Sequence, residues 1–132
     1  MEKSIKIASK IDNINKIEKL IDDFSEKHEI NSEIYGKILI ATVEAVNNSI
    51  VHGNKEDVNK FVSVNLNIQG DKIYITVGDE GNGFDYSKVP DPTKPENVEN
   101  IHGRGIYLMK HLADDVSFND DGSVVTMEFN KE

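Results

Sequence analysis

Two neighbouring runs, residues 61–69 "FVSVNLNIQ" and 72–77 "KIYITV", constrain this chain more than any other stretch. Val62, Val64, Leu66 and Ile68 alternate with polar residues, and Ile73, Ile75 and Val77 do the same. A period of two puts each set on one face of a strand, and the Gly70-Asp71 step between them suits a tight hairpin. One apolar face per strand asks for a layer of helices on that side.

The remainder supplies that layer. Residues 4–8, "SIKIA", alternate and predict a short edge strand. From about Asp12 to His28, Ile14, Ile17, Leu20, Ile21 and Phe24 recur at helical spacing with charges opposite, an amphipathic helix. Asn31 or Ser32 can cap a second helix, with Glu33 placed to favour its dipole. This helix runs through "ATVEAVNNSIVHGN" at 41–54, and Gly53 is a natural stop. Residues 78–105 change character. All three prolines fall between 90 and 95, and Gly81, Gly83, Gly103 and Gly105 cluster at the two ends. A connection of this length in a compact domain reads as a functional lid. Residues 104–114 then read as a helix, and "VSF" and "SVVTMEF" as a closing hairpin around "NDDG". The order β-α-α-β-β-loop-α-β-β predicts a two-layer α/β (α+β) sandwich, with helices on one face of a mixed, largely antiparallel sheet.

At 132 residues the chain is expected to form one domain, 1–132, burying roughly two thirds of its unfolded surface. Its 15 basic and 24 acidic residues leave a net charge of −9, with no concentration of Lys or Arg. Nucleic-acid phosphates need a basic footprint, so that partner class is not expected. Without Cys there is no disulfide framework, thiolate metal site or thiol nucleophile. "MEKSIKIASK" is too polar for a signal peptide and no apolar run approaches a membrane span, so a cytoplasmic location and no membrane partner are expected.

The second helix carries the first chemical signal. Stepping 100° per residue from Glu44, Asn48 lies about 40° one way and Asn47 about 60° the other, with Lys37 about 20° round. Leu39, Val43, Val46 and Ile50 fall on the far side, toward the sheet. A solvated face is the plain reading, but Ala and Thr fill the neighbouring positions, and two successive Asn cost helix propensity unless their side chains are used. An amide oxygen here suits Mg²⁺, which keeps waters and adds substrate phosphates, and the carboxylate can polarise a hydroxyl beside it. In "VGDEGNGFD", Asp79 follows the strand ending at Val77, and Gly81 and Gly83 let backbone approach something flat. Such an Asp can accept a hydrogen bond from an exocyclic amine, although an Asp-Gly turn has the same composition. In "HGRGIYLMK", Gly103 and Gly105 immediately precede a helix whose N–H groups face an anion, with Arg104 between them. No GxxxxGK[ST] loop occurs, and "GNGF" lacks the βαβ setting of a dinucleotide fold.

The order of these pieces resembles the ATP-binding (Bergerat-type) domain shared by gyrase, heat-shock chaperone, histidine-kinase and mismatch-repair ATPases. "EAVNNSIVHGN" is similar to its helix motif, "DEGNGFD" to the first glycine motif and "HGRGIYLMK" to the second. Within that superfamily the chain resembles bacterial anti-sigma-factor serine kinases, with their Glu-Ala-x-x-Asn-x-x-x-His-Gly signature. The resemblance implies ATP and Mg²⁺ as cofactors, Asn48 on the metal, and Glu44 as the base for an acceptor serine. It implies Asp79 reading adenine, Gly81 and Gly83 lining its pocket, Gly103 and Gly105 at the phosphates under a lid at about 84–102, and Asn47 beside the nucleotide. His52 and Lys37 are assigned to packing or the surface, and Ser123 lies near a Thr position beside adenine. The implied partners are a STAS-type anti-anti-sigma protein, a sigma factor or other output protein, and a second copy in a homodimer. Relatives often carry an Arg before the second glycine motif, whereas this chain has Ile101 and His102 there and Arg104 between the glycines. The alternative is therefore an ATP/ADP-sensing binding module without kinase activity.

Overall fold

The computed structural model describes residues 2–81, 101–119 and 122–131, with the side chains of 101–104 outside that description. The strands are β1 (Glu2–Ala8), β2 (Phe61–Gln69), β3 (Lys72–Gly78), β4 (Asp115–Phe118) and β5 (Val124–Asn130). The helices are α1 (Ile14–Lys27), α2 (Ser32–Asn48) and α3 (Ile101–Leu112). A short 3₁₀ turn, Ile11–Asn13, leads into α1. The five strands lie in the order β1-β2-β3-β5-β4. Each pairing is antiparallel, so the expected mixed sheet is antiparallel among the described residues.

Alternation sets the register. Val64 lies opposite Ile5 and Val77, and Ile75 opposite Leu66 and Met127, so apolar side chains line up on one face of neighbouring strands. Gly70 takes φ +62°, the left-handed conformation that the first position of a two-residue hairpin loop demands. The inner face of the sheet buries Val62, Leu66, Ile73, Ile75, Met127 and Phe129 against Ile17 and Ile21 of α1, Ile38 and Val46 of α2, and Met109 of α3. Each large aliphatic fully buried here contributes about 1.5–3 kcal/mol. The opposite face is polar: Asn65 donates to the Ser4 hydroxyl at 2.7 Å, and the Thr76 and Thr126 hydroxyls meet at 3.3 Å.

α2 is the central helix, touching α1, α3 and strands β3 and β5. Asn31 caps it, its side-chain oxygen accepting from the Ile34 N–H at 2.9 Å. Burial from three directions corrects the expected stripe. Ile38, Ala41, Thr42, Ala45 and Val46 are buried, while Leu39 and Val43 are only partly so. A helix hemmed in by two neighbours and a sheet buries a wide arc, and small residues let the neighbours approach.

Candidate nucleotide site

α2 does not stop where its α-helical hydrogen bonds do. From Ser49 to Gly53 the backbone widens into a π-helical turn, and the Asn54 N–H reaches back to the Ser49 carbonyl at 2.8 Å. Such bulges are rare and gather at functional sites. Just before it, Glu44 and Asn47 are half-buried, whereas Asn48 is 8 % exposed. Asn48 thus belongs to the interior, not to a solvated patch. Its Nδ2 is buried with no hydrogen-bond partner. An orphaned amide of this kind costs about 1–3 kcal/mol, and a native fold keeps one where something else is to satisfy it.

The segment after β3 folds onto that turn. The Asp79 N–H donates to the Ser123 carbonyl at 3.0 Å, and the Asp79 carboxylate accepts from the Gly81 N–H at 2.8 Å. A Cβ on Gly81 would lie 2.0 Å from the Gly53 carbonyl oxygen, and one on Gly53 would lie 2.3 Å from Asp79 Oδ2. Both glycines are required by close approach.

Asn54, which sequence reasoning passed over, locks this arrangement. Its Nδ2 donates to Ser9 Oγ at 2.8 Å and to the Phe61 carbonyl at 3.0 Å, while its Oδ1 accepts from the Glu80 N–H at 2.8 Å. It is 1 % exposed. One side chain therefore ties the end of β1, the start of β2 and the loop after β3. A short polar residue after a helix-ending glycine signals only a turn, and its distant partners leave no local trace.

α3 closes the other side. Its described part runs Ile101–Leu112, so Gly103, Arg104 and Gly105 lie within the helix and not ahead of it, which corrects the expected 104–114 boundary. A Cβ on Gly105 would lie 3.1 Å from both Glu44 Oε2 and Asn48 Nδ2. Here α3 comes close to the polar groups of α2, and a Cβ would make those side chains give by a few tenths of an ångström. Residues 84–100 of the expected lid, and Gly83, lie outside the described residues, while Ile101 and His102 lie in α3.

Between α2, α3 and the sheet lies a tight pocket with about 20 Å³ of free space. Asn48, Asp79 and Ser123 supply its polar groups, and Val77, Ile106 and Met109 are among its apolar walls. Apolar walls beside a carboxylate and a hydroxyl are the groups that the edge of a flat heteroaromatic ring with an exocyclic amine would meet, but the slot as it stands is narrower than such a ring. Glu44 and Asn47 do not line it; Glu44 stands beside Asn48 at Gly105. No cluster of three His, Asp or Glu occurs among the described residues. A lone amide oxygen is the donor set expected for Mg²⁺ carried in by phosphates and waters, a use open to Asn48 Oδ1, while the unpartnered Nδ2 is a donor suited to an anionic oxygen.

The fold together with the family model makes the chain an ATPase domain of the histidine-kinase type. The histidine kinase-like ATPase domain model matches residues 7–129, and the chain belongs to that family. Among its relatives is the serine-protein kinase RsbW of Staphylococcus aureus (strain JH9), 34 % identical over 96 residues, which cover 67 % of this chain and 60 % of that protein. RsbW of strain Newman matches over the same extent. The chain therefore spans about 60 % of the length of these curated relatives. The crystal structure of the RsbU and RsbW domains of Rv1364c from Mycobacterium tuberculosis shares the fold, with a TM-score of 0.69 at 13 % identity over 98 % of this chain and 32 % of that one. Among the described residues no helix is long and apolar enough to cross a membrane.

Proposed function

We propose that this chain is an ATP-dependent serine kinase of the anti-sigma type. It phosphorylates a STAS-type anti-anti-sigma partner and, when not engaged by it, sequesters a sigma factor or another output protein. The observation that carries this reading is the seating of Glu44 and Asn48 side by side under Gly105, next to the pocket that holds Asp79 and Ser123. Similarity to proteins named serine-protein kinase supports it.

In this reading Asp79, with Gly81 beside it, takes the adenine amine, and Ser123 the neighbouring ring edge. Asn48 Oδ1 would hold Mg²⁺, Asn47 would lie alongside the nucleotide, and the N-terminal part of α3 with Gly103, Arg104 and Gly105 would take the phosphates, Gly105 by its lack of a side chain. Bound Mg-ATP supplies the γ-phosphoryl group and a cation that spreads its charge. Glu44 orients the partner's serine hydroxyl and accepts its proton. The protein acts in the cytoplasm as a homodimer.

A second reading, a nucleotide-sensing module that holds its partner without modifying it, is favoured by Ile101 and His102 standing where relatives carry an Arg. Single-turnover mixing of the chain, Mg-ATP and the partner separates the two. Phosphoserine on the partner is expected; nucleotide binding without it would overturn the kinase assignment.

A further inference from the structure

α2 contains a glycine that its own fold does not use. Gly36 stands inside Ser32–Asn48, and a Cβ there would meet nothing within 4 Å. Its φ is not in the left-handed range, so no turn asks for it. Glycine is among the poorest residues for a helix interior, and neither packing nor backbone conformation accounts for this one. One turn later Ile40 is 48 % exposed on a helix otherwise covered on three sides. One turn further is Glu44.

Residues four apart on a helix form one ridge, so Gly36, Ile40 and Glu44 follow a single line along the outward side of α2. The charges of Glu33 and Lys37 on its flank are turned to one another at 3.9 Å. The ridge is thus a bare backbone, an exposed apolar side chain and a half-buried carboxylate, in that order.

We propose that Gly36 and Ile40 are the docking ridge for the protein that presents its serine to Glu44; the inference rests on the kinase reading above. The glycine admits the incoming backbone and Ile40 takes an apolar side chain. At 1.5 Å per residue, that contact lies about 6 Å from the serine and the close approach at Gly36 about 12 Å away. A second copy of this chain on the ridge would cover Glu44, which must meet an incoming hydroxyl.

The test is phosphotransfer from Mg-ATP to a purified anti-anti-sigma protein that the wild-type chain phosphorylates. In Ile40→Glu and Gly36→Gln, KM for the protein substrate is expected to rise at least about tenfold, while kcat and the ATP Kd stay within about twofold, the signature of lost binding common to ground and transition states. Gly36→Ala is expected to raise Tm by ~4 °C, because nothing in the isolated fold needs the glycine. Unchanged KM in both variants, a lowered Tm for Gly36→Ala, or a dimer split by Ile40→Glu would each overturn the ridge while leaving the kinase reading intact. A wild-type chain that binds Mg-ATP but transfers nothing to serine overturns the kinase reading, and the ridge with it.

Discussion

α1 and α2 lie against one another on the same sheet, yet only α1 has the outer face expected of a surface helix. α1 buries Ile17, Ile21 and Phe24 and exposes Lys16, Glu18, Lys19, Asp22, Asp23 and Glu26. α2 turns Gly36, Ile40, Glu44 and Asn47 toward solvent, with less charge and less helix propensity. The Tyr35 hydroxyl donates to the Asp22 carboxylate across the pair, a bond that raises the phenol's pKa. The two helices are thus joined, but α2 is also flanked by α3, so its outer face is the narrower one and its residues there are the fewer. α1 meets a single demand, to cover the sheet and stay solvated. α2 meets that demand with its inner arc and keeps its outer residues for something else.

Glu44→Ala is the sharpest way to break this comparison. Removing a general base costs about 10² to 10⁴ in rate, or about 3–5 kcal/mol of barrier. Radiolabel transfer to the partner is expected to fall by that factor, with Mg-ATP binding retained. Glu18→Ala, an equivalent truncation on the outer face of α1, is expected to change neither transfer nor stability beyond about 0.5 kcal/mol. Equal effects from the two substitutions would remove the functional distinction between the helices.

Two further substitutions probe how the end of α2 differs from that of α1. Gly81→Ala drives a methyl into the Gly53 carbonyl, 2.0 Å from the new Cβ. A destabilisation of about 3 kcal/mol is expected, with loss of nucleotide binding, because the loop and the π turn can no longer meet. Urea unfolding and a nucleotide titration read the two effects separately. Asn54→Ala strips partners from the Ser9 hydroxyl, the Phe61 carbonyl and the Glu80 N–H. About 2 kcal/mol is expected for these unpaired groups, read as a lower urea midpoint at unchanged slope. Wild-type stability in Asn54→Ala would mean that water replaces all three contacts.

Much of this contrast is legible in the sequence, and the illegible part has a common cause. The strands follow from alternation, because a half-buried strand answers to one face and each residue reports its side. α1 follows for the same reason. The proximity of Glu44 to Asn48 follows from helical geometry alone. The buried arc of α2 does not, since Ala41 and Ala45 mark the approach of other elements and carry no strong apolar signal of their own. The helical setting of Gly103 and Gly105 is missed because glycines read as helix breakers, whereas Gly105 lies within α3, where Glu44 and Asn48 leave little room for a side chain. Asn54 is missed because its partners lie 45, 7 and 26 residues away. Contacts between distant segments are what a local pattern cannot carry.

The smallest expected effect separates the patch on α2 from its flank. Helical geometry alone places Lys37 with Glu44, but its ammonium lies 3.9 Å from Glu33, with the two side chains 42 % and 81 % exposed. An exposed pair four residues apart contributes less than about 0.5 kcal/mol and is screened by salt. Lys37→Ala is therefore expected to shift Tm by no more than about 2 °C, to leave phosphotransfer unchanged, and to differ less from wild type as ionic strength rises. A large loss of transfer would draw Lys37 into the functional face and widen it by a turn. Unchanged transfer confines that face to residues whose chemistry or shape the partner meets directly, which is the condition under which an ordinary lysine and an unusual glycine can sit side by side on one helix.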